Sequence, residues 1–309
     1  MSGLKTSTPD AALVAYIADA RARVDAVLES WGVRAGEWWP VPVPAAMRYS
    51  LLSTGKRLRP TLVFAAAEAV GGGPAAERVA DLAAAVEVVH AYSLVHDDLP
   101  CMDNDDLRRG RPTTHRAFDV PTAVVAGYHM VALGARVLDA GLAGLALAPA
   151  TRRGIALELF RAAGAGGMIG GQALDLEAEG RRLPPTELED VHRRKTGALI
   201  SAACVIGAMA AGAPGAICDA LRGYGADVGL AFQIYDDVLD ATATSDQLGK
   251  TAGKDAADGK STFVTLLGAK AARAEAERLA TRAVDRLGEA GLVSPTLAAL
   301  AHYIVTRPN

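Results

Sequence analysis

Apolar residues recur at three- and four-residue steps along almost the whole chain, and this spacing limits the fold more than any other feature. In the segment 75–99, Val79, Leu82, Val86 and Val89 follow it, so they share one face of an α-helix. Half of the 309 residues are hydrophobic and only 5% are aromatic, which favours packed helices over sheets. We predict helices over 9–31, 57–70, 75–99, 119–140, 150–179, 186–211, 215–242, 262–287 and 293–306.

Glycine and proline separate these helices, and no long linker, low-complexity tail or internal repeat divides the sequence. Pro100 lacks an amide proton and clashes with the carbonyl group four residues earlier, so the helix before it should end or kink there. We therefore expect one all-α domain over residues 1–309, with a flexible N-terminal segment at 1–8.

The composition gives no sign of a nucleic-acid or membrane partner. The net charge is only −3, whereas both of these partners favour strongly basic proteins. The apolar stretch 122–150 is interrupted by His129, Arg136 and Asp139, which favours a buried helix over a membrane span. The three cysteines show no metal-ligand spacing and the segment after Met1 is polar, so we expect a cytoplasmic protein with free thiols.

An acidic cluster, DDLPCMD, occupies residues 97–103 at the end of a predicted helix. Counting back along this helix puts His90, Ser93 and Asp97 on one face, with Asp98 beside them. A single cluster of this kind is commonly a solvated helix face or a helix cap. It does not predict a metal site by itself.

A second acidic cluster, DDVLD at 236–240, also follows an apolar helical run. Gln233, Asp236 and Asp240 share a face of this helix, and Asp237 lies about 100° around it. Two such helices can present carboxylates to each other across a cavity. Facing carboxylates suit Mg²⁺, which binds oxygen ligands and keeps water and phosphate ligands of its own.

Basic residues stand at predicted helix ends and in glycine-bearing loops, where cations and free amides bind phosphate. Each one taken singly is more often a solvent-exposed charge. The segments GKRLRP, LRRGRP, RRKTGA and LGKTAGKDAADGKST contain Lys56, Arg57, Arg59, Arg108, Arg109, Arg111, Lys195, Thr196, Lys250, Lys254 and Lys260. Together with the apolar helices, they predict a substrate with diphosphate at one end and a hydrocarbon chain at the other.

Six motifs in order resemble those of the trans-isoprenyl diphosphate synthases (polyprenyl synthetases), and among them the bacterial farnesyl diphosphate synthases. From about residue 40 to 307 they are GKRLRP, HAYSLVHDDLPCMDNDDLRRGRPTTH, GGQALDLEAEG, HRRKTGALI, GLAFQIYDDVLD and DGKST. The resemblance implies a bundle of long antiparallel helices around a deep central cavity, usually in a homodimer. It also implies that isopentenyl diphosphate condenses head to tail with dimethylallyl and geranyl diphosphates, with three Mg²⁺ ions, to give farnesyl diphosphate.

The resemblance implies roles for individual residues as well. The metal ligands and their supports would be Asp97, Asp98, Asp103, Asp236, Asp237 and Asp240, and the catalytic set would be Asp97, Asp98, Lys195 and Asp236. The allylic diphosphate would be bound by Arg108, Lys195, Thr196, Gln233, Lys250 and Lys260. Isopentenyl diphosphate would be bound by Lys56, Arg59, His90 and Arg109. Tyr92 and Ser93 would set the product length, and Gln172 and Asp175 would line the cavity or pack the core.

Product length is the open part of this interpretation. Residues 127–130 read Gly-Tyr-His-Met, where the resembling family commonly has Gly-Asp-Ala-Leu, and Ala135 stands where an aromatic residue is common. On a helical wheel Tyr92 points about 140° away from Asp97. A geranylgeranyl diphosphate synthase is therefore the nearest alternative. A terpene cyclase fits less well because two basic elements suit two diphosphates, and a non-catalytic partner subunit is expected to lack the aspartates that are present here.

Overall fold

The computed structural model describes residues 11–242 and 261–307, and α-helices make up almost all of its regular structure. The helices are α1 Ala11–Arg34, α2 Val43–Leu51, α3 Leu58–Gly71, α4 Gly73–Glu77, α5 Ala80–Asp97, α6 Thr114–Ala117, α7 Val120–Ala143, α8 Pro149–Ala163, α9 Met168–Glu177, α10 Pro185–His192, α11 Ala198–Ala210, α12 Gly215–Thr242, α13 Phe263–Leu267, α14 Ala269–Glu289 and α15 Pro295–Ile304. The predicted all-α fold is confirmed. The predicted flexible segment 1–8 lies outside the described residues.

Three short elements complete the described chain. Ala35–Glu37 forms a 3-10 turn, and Arg193–Gly197 forms a π-helical turn between α10 and α11. The strands β1 Leu107–Arg108 and β2 Arg111–Pro112 pair antiparallel in a small hairpin. Its turn places Arg109 and Gly110 at positive φ values of 54° and 74°. The helical spacing did not predict the hairpin, the 3-10 turn, the π-helical turn or the short helices α2 and α6.

The core lies where α3, α5 and α11 meet. All residues in 60–67 of α3, in 82–89 of α5 and in 199–208 of α11 are buried. Many of them are alanine or glycine, so the helix backbones approach closely. A Cβ atom on Gly207 of α11 would collide with the Val63 carbonyl of α3. Small side chains therefore determine the spacing of the central helices.

Three of the predicted helices are interrupted, and the one predicted over 75–99 divides where α4 ends at Glu77 and α5 begins at Ala80. The helix predicted over 150–179 is wrong, because α8 ends at Ala163 and α9 begins at Met168. Gly164, Gly166 and Gly167 occupy the break, and glycine is the residue that most weakens a helix interior apart from proline. The helix predicted over 262–287 is also broken, at Gly268, which has a φ of 82°.

The helix α7 has apolar residues on its exposed side as well as on its buried side. Among the described residues it is the one helix long and apolar enough to cross a membrane by length and composition. However, 44% of its apolar window is buried inside the fold. Met130, Leu133 and Val137 face the core, while Val125 and Tyr128 are exposed. The helix is therefore half-buried in the bundle and has an apolar outer side.

Candidate active site

A cavity of about 440 Å³ lies between α5, α7, α9 and the π-helical turn. Arg59, His90, Asp97, Lys195 and Thr196 line its polar end. Most of the other lining residues are apolar or aromatic, namely Tyr92, Leu94, Met102, Tyr128, Val131, Met168, Ile169, Ala173 and Leu176, and Ser93, His96 and Gln172 complete the lining. A smaller cavity of about 210 Å³ beside α10 contains none of the predicted site residues. The larger cavity therefore defines the candidate site.

Asp97 and Asp103 are brought together by a turn at the end of α5. The amide of Asp103 donates to the carbonyl of Asp97 at 2.8 Å, and the amide of Asp105 donates to that of Asp98 at 3.2 Å. Burial raises the pKa of Asp97 to about 7, and the Asp103 carboxylate adds to this while Lys195 opposes it. A carboxylate with a raised pKa is one whose negative charge is incompletely compensated. A divalent cation would supply that compensation.

Asp98 points to a different partner. It is 3% exposed, and two nitrogens of Arg108 lie 2.7 and 2.5 Å from one of its oxygens. Arg108 is the last residue of β1, so the hairpin carries it back over the end of α5. The neighbouring Arg109 instead reaches toward Ser53, with Nη1 3.4 Å from the hydroxyl. The hairpin thus sends two adjacent arginines in different directions.

The π-helical turn presents Lys195 and Thr196 to the cavity. Lys195 Nζ donates to Asp175 at 2.6 Å, and the Thr196 hydroxyl lies 3.1 Å from Gln233 Oε1. A Cβ atom on Gly171 of α9 would collide with the backbone nitrogen of Lys195, so only glycine permits this contact. π-Helical turns occur frequently at functional sites. Here the turn connects α9 and α12 to one wall of the cavity.

The isopentenyl-binding residues predicted from the resemblance form a cluster of incompletely compensated cations. Burial lowers the pKa of Arg59 to about 10, and burial together with Arg59 and Arg109 holds the pKa of His90 well below its usual value. Burial, followed by the charge of Arg307, lowers the pKa of Lys56. Among the described residues, Arg59 Nε has no hydrogen-bond partner. Such a cluster favours an anionic ligand.

Arg57 has a structural position instead. It is 4% exposed and donates to Glu87 and to Asp25, each at 2.8 Å. It also donates to the carbonyls of Leu51 at 2.8 Å and Ser53 at 3.1 Å. Burial alone would lower the pKa of Arg57, but these carboxylates hold it above its usual value. The residue anchors the loop that precedes α3.

Two aspartates of the second acidic cluster accept hydrogen bonds from residues of the described segment 261–307. Asp236 accepts a hydrogen bond from Arg307, which is 2% exposed and stacks 4.2 Å from the Phe232 ring centroid. Asp237 accepts from the amide of Phe263 at 2.9 Å, and Asp240 is buried. Sequence reasoning missed Arg307, which no motif marks. The predicted residues Lys250 and Lys260 lie outside the described residues.

The carboxylates do not form a complete metal site by themselves. Within 11–242 and 261–307, no three carboxylate, imidazole or thiolate side chains lie close enough together to hold one metal ion. Mg²⁺ is usually bound by one or two carboxylates and completes its shell with water and substrate phosphate oxygens. Asp97 with Asp103 at the end of α5, and Asp236 on α12, offer partial ligand sets of this type.

The apolar part of the cavity is bounded by an aromatic cluster. Tyr92 and Ser93 are nearly buried and both line the cavity. The His96 ring lies between Tyr92 and Tyr128, with centroid distances of 5.7 and 5.3 Å. A Cβ atom on Gly127 would collide with His96. This glycine therefore lets His96 pack against α7.

Tyr128, His129, Met130 and Ala135 differ from the residues common in the family that the chain resembles, and of these only Tyr128 reaches the cavity. His129 contacts Trp39, with ring centroids 4.9 Å apart, and Met130 is fully buried in the core. The cavity wall on α7 is therefore changed at a single position.

Residues 42–292 match the family model named polyprenyl synthetase. This chain belongs to the polyprenyl synthetase family. It is 45% identical over 271 residues to farnesyl diphosphate synthase of Escherichia coli, a match that covers 86% of this chain and 89% of the relative. It is 44% identical over 276 residues to geranylgeranyl pyrophosphate synthase 9 of Arabidopsis thaliana, covering 87% and 75%.

Solved structures agree with this family assignment. A geranyltransferase of Helicobacter pylori, complexed with magnesium and isoprenyl diphosphate, superposes with a TM-score of 0.79 at 29% identity. The superposition covers 97% of this chain and 98% of that chain. The predicted isoprenoid synthase fold and the predicted membership of the trans-isoprenyl diphosphate synthases are confirmed. The family assignment supports prenyltransferase activity, while relatives with both C15 and C20 names leave the product open.

Proposed function

We propose that this prenyltransferase condenses isopentenyl diphosphate head to tail with dimethylallyl and geranyl diphosphates and releases farnesyl diphosphate in the cytoplasm. The composition of one cavity carries this proposal. Carboxylates and cations lie at its polar end, and most of the other lining residues are apolar or aromatic. A substrate with a diphosphate head and a hydrocarbon tail is complementary to both parts.

Two groups of cations support two diphosphate sites. We assign isopentenyl diphosphate to Lys56, Arg59, His90 and Arg109, because the buried Nε of Arg59 is a donor that a diphosphate oxygen would satisfy. We assign the allylic diphosphate to Arg108, Lys195, Thr196, Gln233, Lys250 and Lys260. The described members of this second group surround Asp97 or bond to residues that line the same cavity.

The aspartates fit Mg²⁺ as partial ligand sets. We assign three ions to the acidic residues Asp97, Asp98, Asp103, Asp236, Asp237 and Asp240. When bound, Mg²⁺ neutralises the diphosphate and makes it a better leaving group. Asp97 keeps a raised pKa, whereas Asp98 pairs with Arg108 and Asp237 accepts from the amide of Phe263.

The protein supplies no nucleophile in this mechanism. The bond between C1 of the allylic chain and its diphosphate oxygen breaks, and the electron pair leaves with the diphosphate. The double-bond electrons of isopentenyl diphosphate then form a bond between its C4 and that carbon, which leaves the positive charge on its C3. A proton leaves C2 of the same unit for the departing diphosphate, and the electrons of that C–H bond form the new double bond between C2 and C3. Arg108 and Lys195 stabilise the charge on the leaving group, and Asp175 keeps Lys195 in position.

The aromatic cluster supports a C15 product. Tyr92 is nearly buried and faces the cavity, so its ring is placed to stop a growing chain. Ser93 is smaller and donates to the His90 carbonyl at 2.8 Å, which leaves room above the ring. Geranylgeranyl diphosphate is the second candidate product, favoured by the plant relative and by the changed wall at Tyr128.

The exposed apolar side chains support a homodimer. Val125 and Tyr128 of α7 and Ile169 of α9 are 39%, 67% and 51% exposed, and apolar patches of this kind mark interaction surfaces. A second copy of the chain would cover this patch next to the cavity. Sedimentation should show a dimer, and Val125→Asp should shift it toward monomer. A wild-type monomer at micromolar concentration would refute this part of the proposal.

One experiment tests the reaction and the product together. The purified protein is incubated with Mg²⁺, labelled isopentenyl diphosphate and either dimethylallyl or geranyl diphosphate, and the dephosphorylated products are separated by chromatography. Farnesol from both primers is the expected result. Geranylgeraniol would correct the product, and a cyclic hydrocarbon formed without isopentenyl diphosphate would indicate a terpene cyclase. No product under any condition would refute catalysis.

A further inference from the structure

Gln172 of α9 is a buried amide that the proposed mechanism does not use. It is 6% exposed and lines the cavity. Among the residues the structure describes, neither its Nε2 nor its Oε1 has a hydrogen-bond partner. Leaving a buried amide unpaired destabilises a fold, and most native proteins avoid it. An apolar side chain of similar size would pack there without this penalty.

The position of Gln172 is fixed by its neighbours. Gly171 packs against the backbone of the π-helical turn so closely that a Cβ atom would collide with it. Asp175 lies three residues further along α9, on the same face, and bonds to Lys195 Nζ at 2.6 Å. Gln172 therefore stands where the polar end of the cavity meets its apolar part. The first carbons of an allylic chain would lie there when its diphosphate is bound beside Lys195.

We propose that the side-chain carbonyl of Gln172 stabilises the positive charge that develops on the allylic carbons as their bond to diphosphate breaks. This inference rests on the proposed function. The electron pair of the broken bond leaves with the diphosphate, and the carbonyl oxygen contributes only its dipole. No bond forms to the glutamine. The positive charge disappears when the new carbon–carbon bond forms and the proton leaves.

An amide is the suitable group for this role. A fixed dipole in a poorly solvated cavity acts strongly on a charge that appears only in the transition state. A carboxylate at the same place would carry a full charge, compete with Asp97 for cations and pair with Lys195. Because Gln172 has no partner of its own to give up, its dipole is available without rearrangement.

The main test is Gln172→Met, which removes the dipole and keeps the length of the side chain. We expect kcat to fall by about 10- to 100-fold, a fraction of the loss seen when one preorganised dipole is removed from an oxyanion hole. The KM values for both substrates should change less than about threefold. The midpoint of urea unfolding should stay the same or rise, because an unpaired amide is removed. Glu177→Met, on the exposed side of α9, is the matched control.

A second measurement isolates the ionisation step. Hydrolysis of geranyl diphosphate, with inorganic pyrophosphate in place of isopentenyl diphosphate, passes through the same cation. Gln172→Met should slow this hydrolysis by the same factor as condensation, and Gln172→Asn, which keeps the amide dipole on a shorter side chain, should retain part of both rates.

Several results would overturn the inference. An unchanged kcat would do so, as would a rise in the KM for the allylic substrate alone, which indicates an amide donor to diphosphate. Slower condensation with unchanged hydrolysis would assign Gln172 to positioning isopentenyl diphosphate. A large loss of stability in both variants would assign it to packing. If the wild-type protein forms no product, the proposed function fails rather than this inference.

Discussion

The buried pair Arg57 and Glu87 gives a prediction whose size follows from the structure. Both side chains are 3% exposed and lie 2.8 Å apart. Arg57→Met leaves the Glu87 carboxylate in the core without its counter-charge, and the carbonyls of Leu51 and Ser53 lose a donor. Removing one partner of a buried ion pair typically destabilises a protein by about 3–5 kcal/mol. We expect a loss of this size in the free energy of unfolding.

The assay is urea unfolding followed by circular dichroism, applied to a double-mutant cycle. Glu87→Met should cost less than Arg57→Met, because Asp25 and the carbonyls of Leu51 and Ser53 still accept hydrogen bonds from the arginine. The double variant should be at least about 2 kcal/mol more stable than the sum of the two single losses predicts, because neither partner of the Arg57–Glu87 pair then remains buried without the other. Arg278→Met is the matched control. Its pair with Glu275 is 54% and 32% exposed and should contribute less than about 1 kcal/mol.

The same substitution should also weaken substrate binding. Arg57 anchors the loop that carries Lys56 and leads to Arg59. In the folded fraction of Arg57→Met, the KM for isopentenyl diphosphate should therefore rise more, relative to wild type, than the KM for the allylic substrate. The reasoning is refuted if Arg57→Met destabilises no more than Arg278→Met. It is also refuted if the double variant is as unstable as the sum of the single variants.

Four further predictions concern the site itself. Burial raises the pKa of Asp97 to about 7, so the metal-free protein should lose stability as pH rises from about 4 to 7. Asp97→Asn should therefore raise the melting temperature in chelator at pH 7.5, and it should abolish condensation in Mg²⁺. A lower melting temperature for this variant would contradict the reasoning. Arg109→Ala should mainly raise the KM for isopentenyl diphosphate, so an unchanged KM removes it from that site. Arg307→Met should strengthen Mg²⁺ binding to the substrate-free protein in calorimetry, because the guanidinium competes for Asp236; weaker binding would count against this competition. Tyr92→Ala should lengthen the product to twenty carbons or more, as measured by chromatography. A folded, active variant whose product still has fifteen carbons would show that another residue limits the chain length.

The helical spacing predicted most of the fold because it reports which face of each segment is buried. It failed where the backbone departs from regular helix without a change in that spacing. The π-helical turn at Arg193–Gly197 continues the predicted helix 186–211, and its position depends on contact with Gly171 of α9. Such a contact joins residues that are distant in sequence, so local periodicity carries no sign of it.

The sequence predicted which residues belong to the candidate site, but it did not predict which of them form hydrogen bonds and ion pairs with each other. The resemblance named Asp98 and Arg108 for separate roles, whereas the structure bonds them to each other. It named Lys195 for diphosphate, and the structure pairs its ammonium with Asp175. Helical wheels placed Tyr92 away from Asp97, yet the cavity extends around α5 and both residues line it. Cavity shape depends on neighbouring helices, which a wheel drawn for one helix does not include.

These pairs also explain how the protein keeps dense charge clusters folded when no substrate is bound. Asp98 is paired with Arg108, Asp236 with Arg307 and Lys195 with Asp175. Around the cavity, Asp97, Arg59 and His90 keep strongly shifted pKa values. Since an uncompensated buried charge is destabilising, the fold limits that penalty to positions where a cation and a diphosphate oxygen would bind. Ligand binding then adds counter-charges at Asp97 and Arg59, while Arg307 must release Asp236 if that carboxylate is to reach a metal ion.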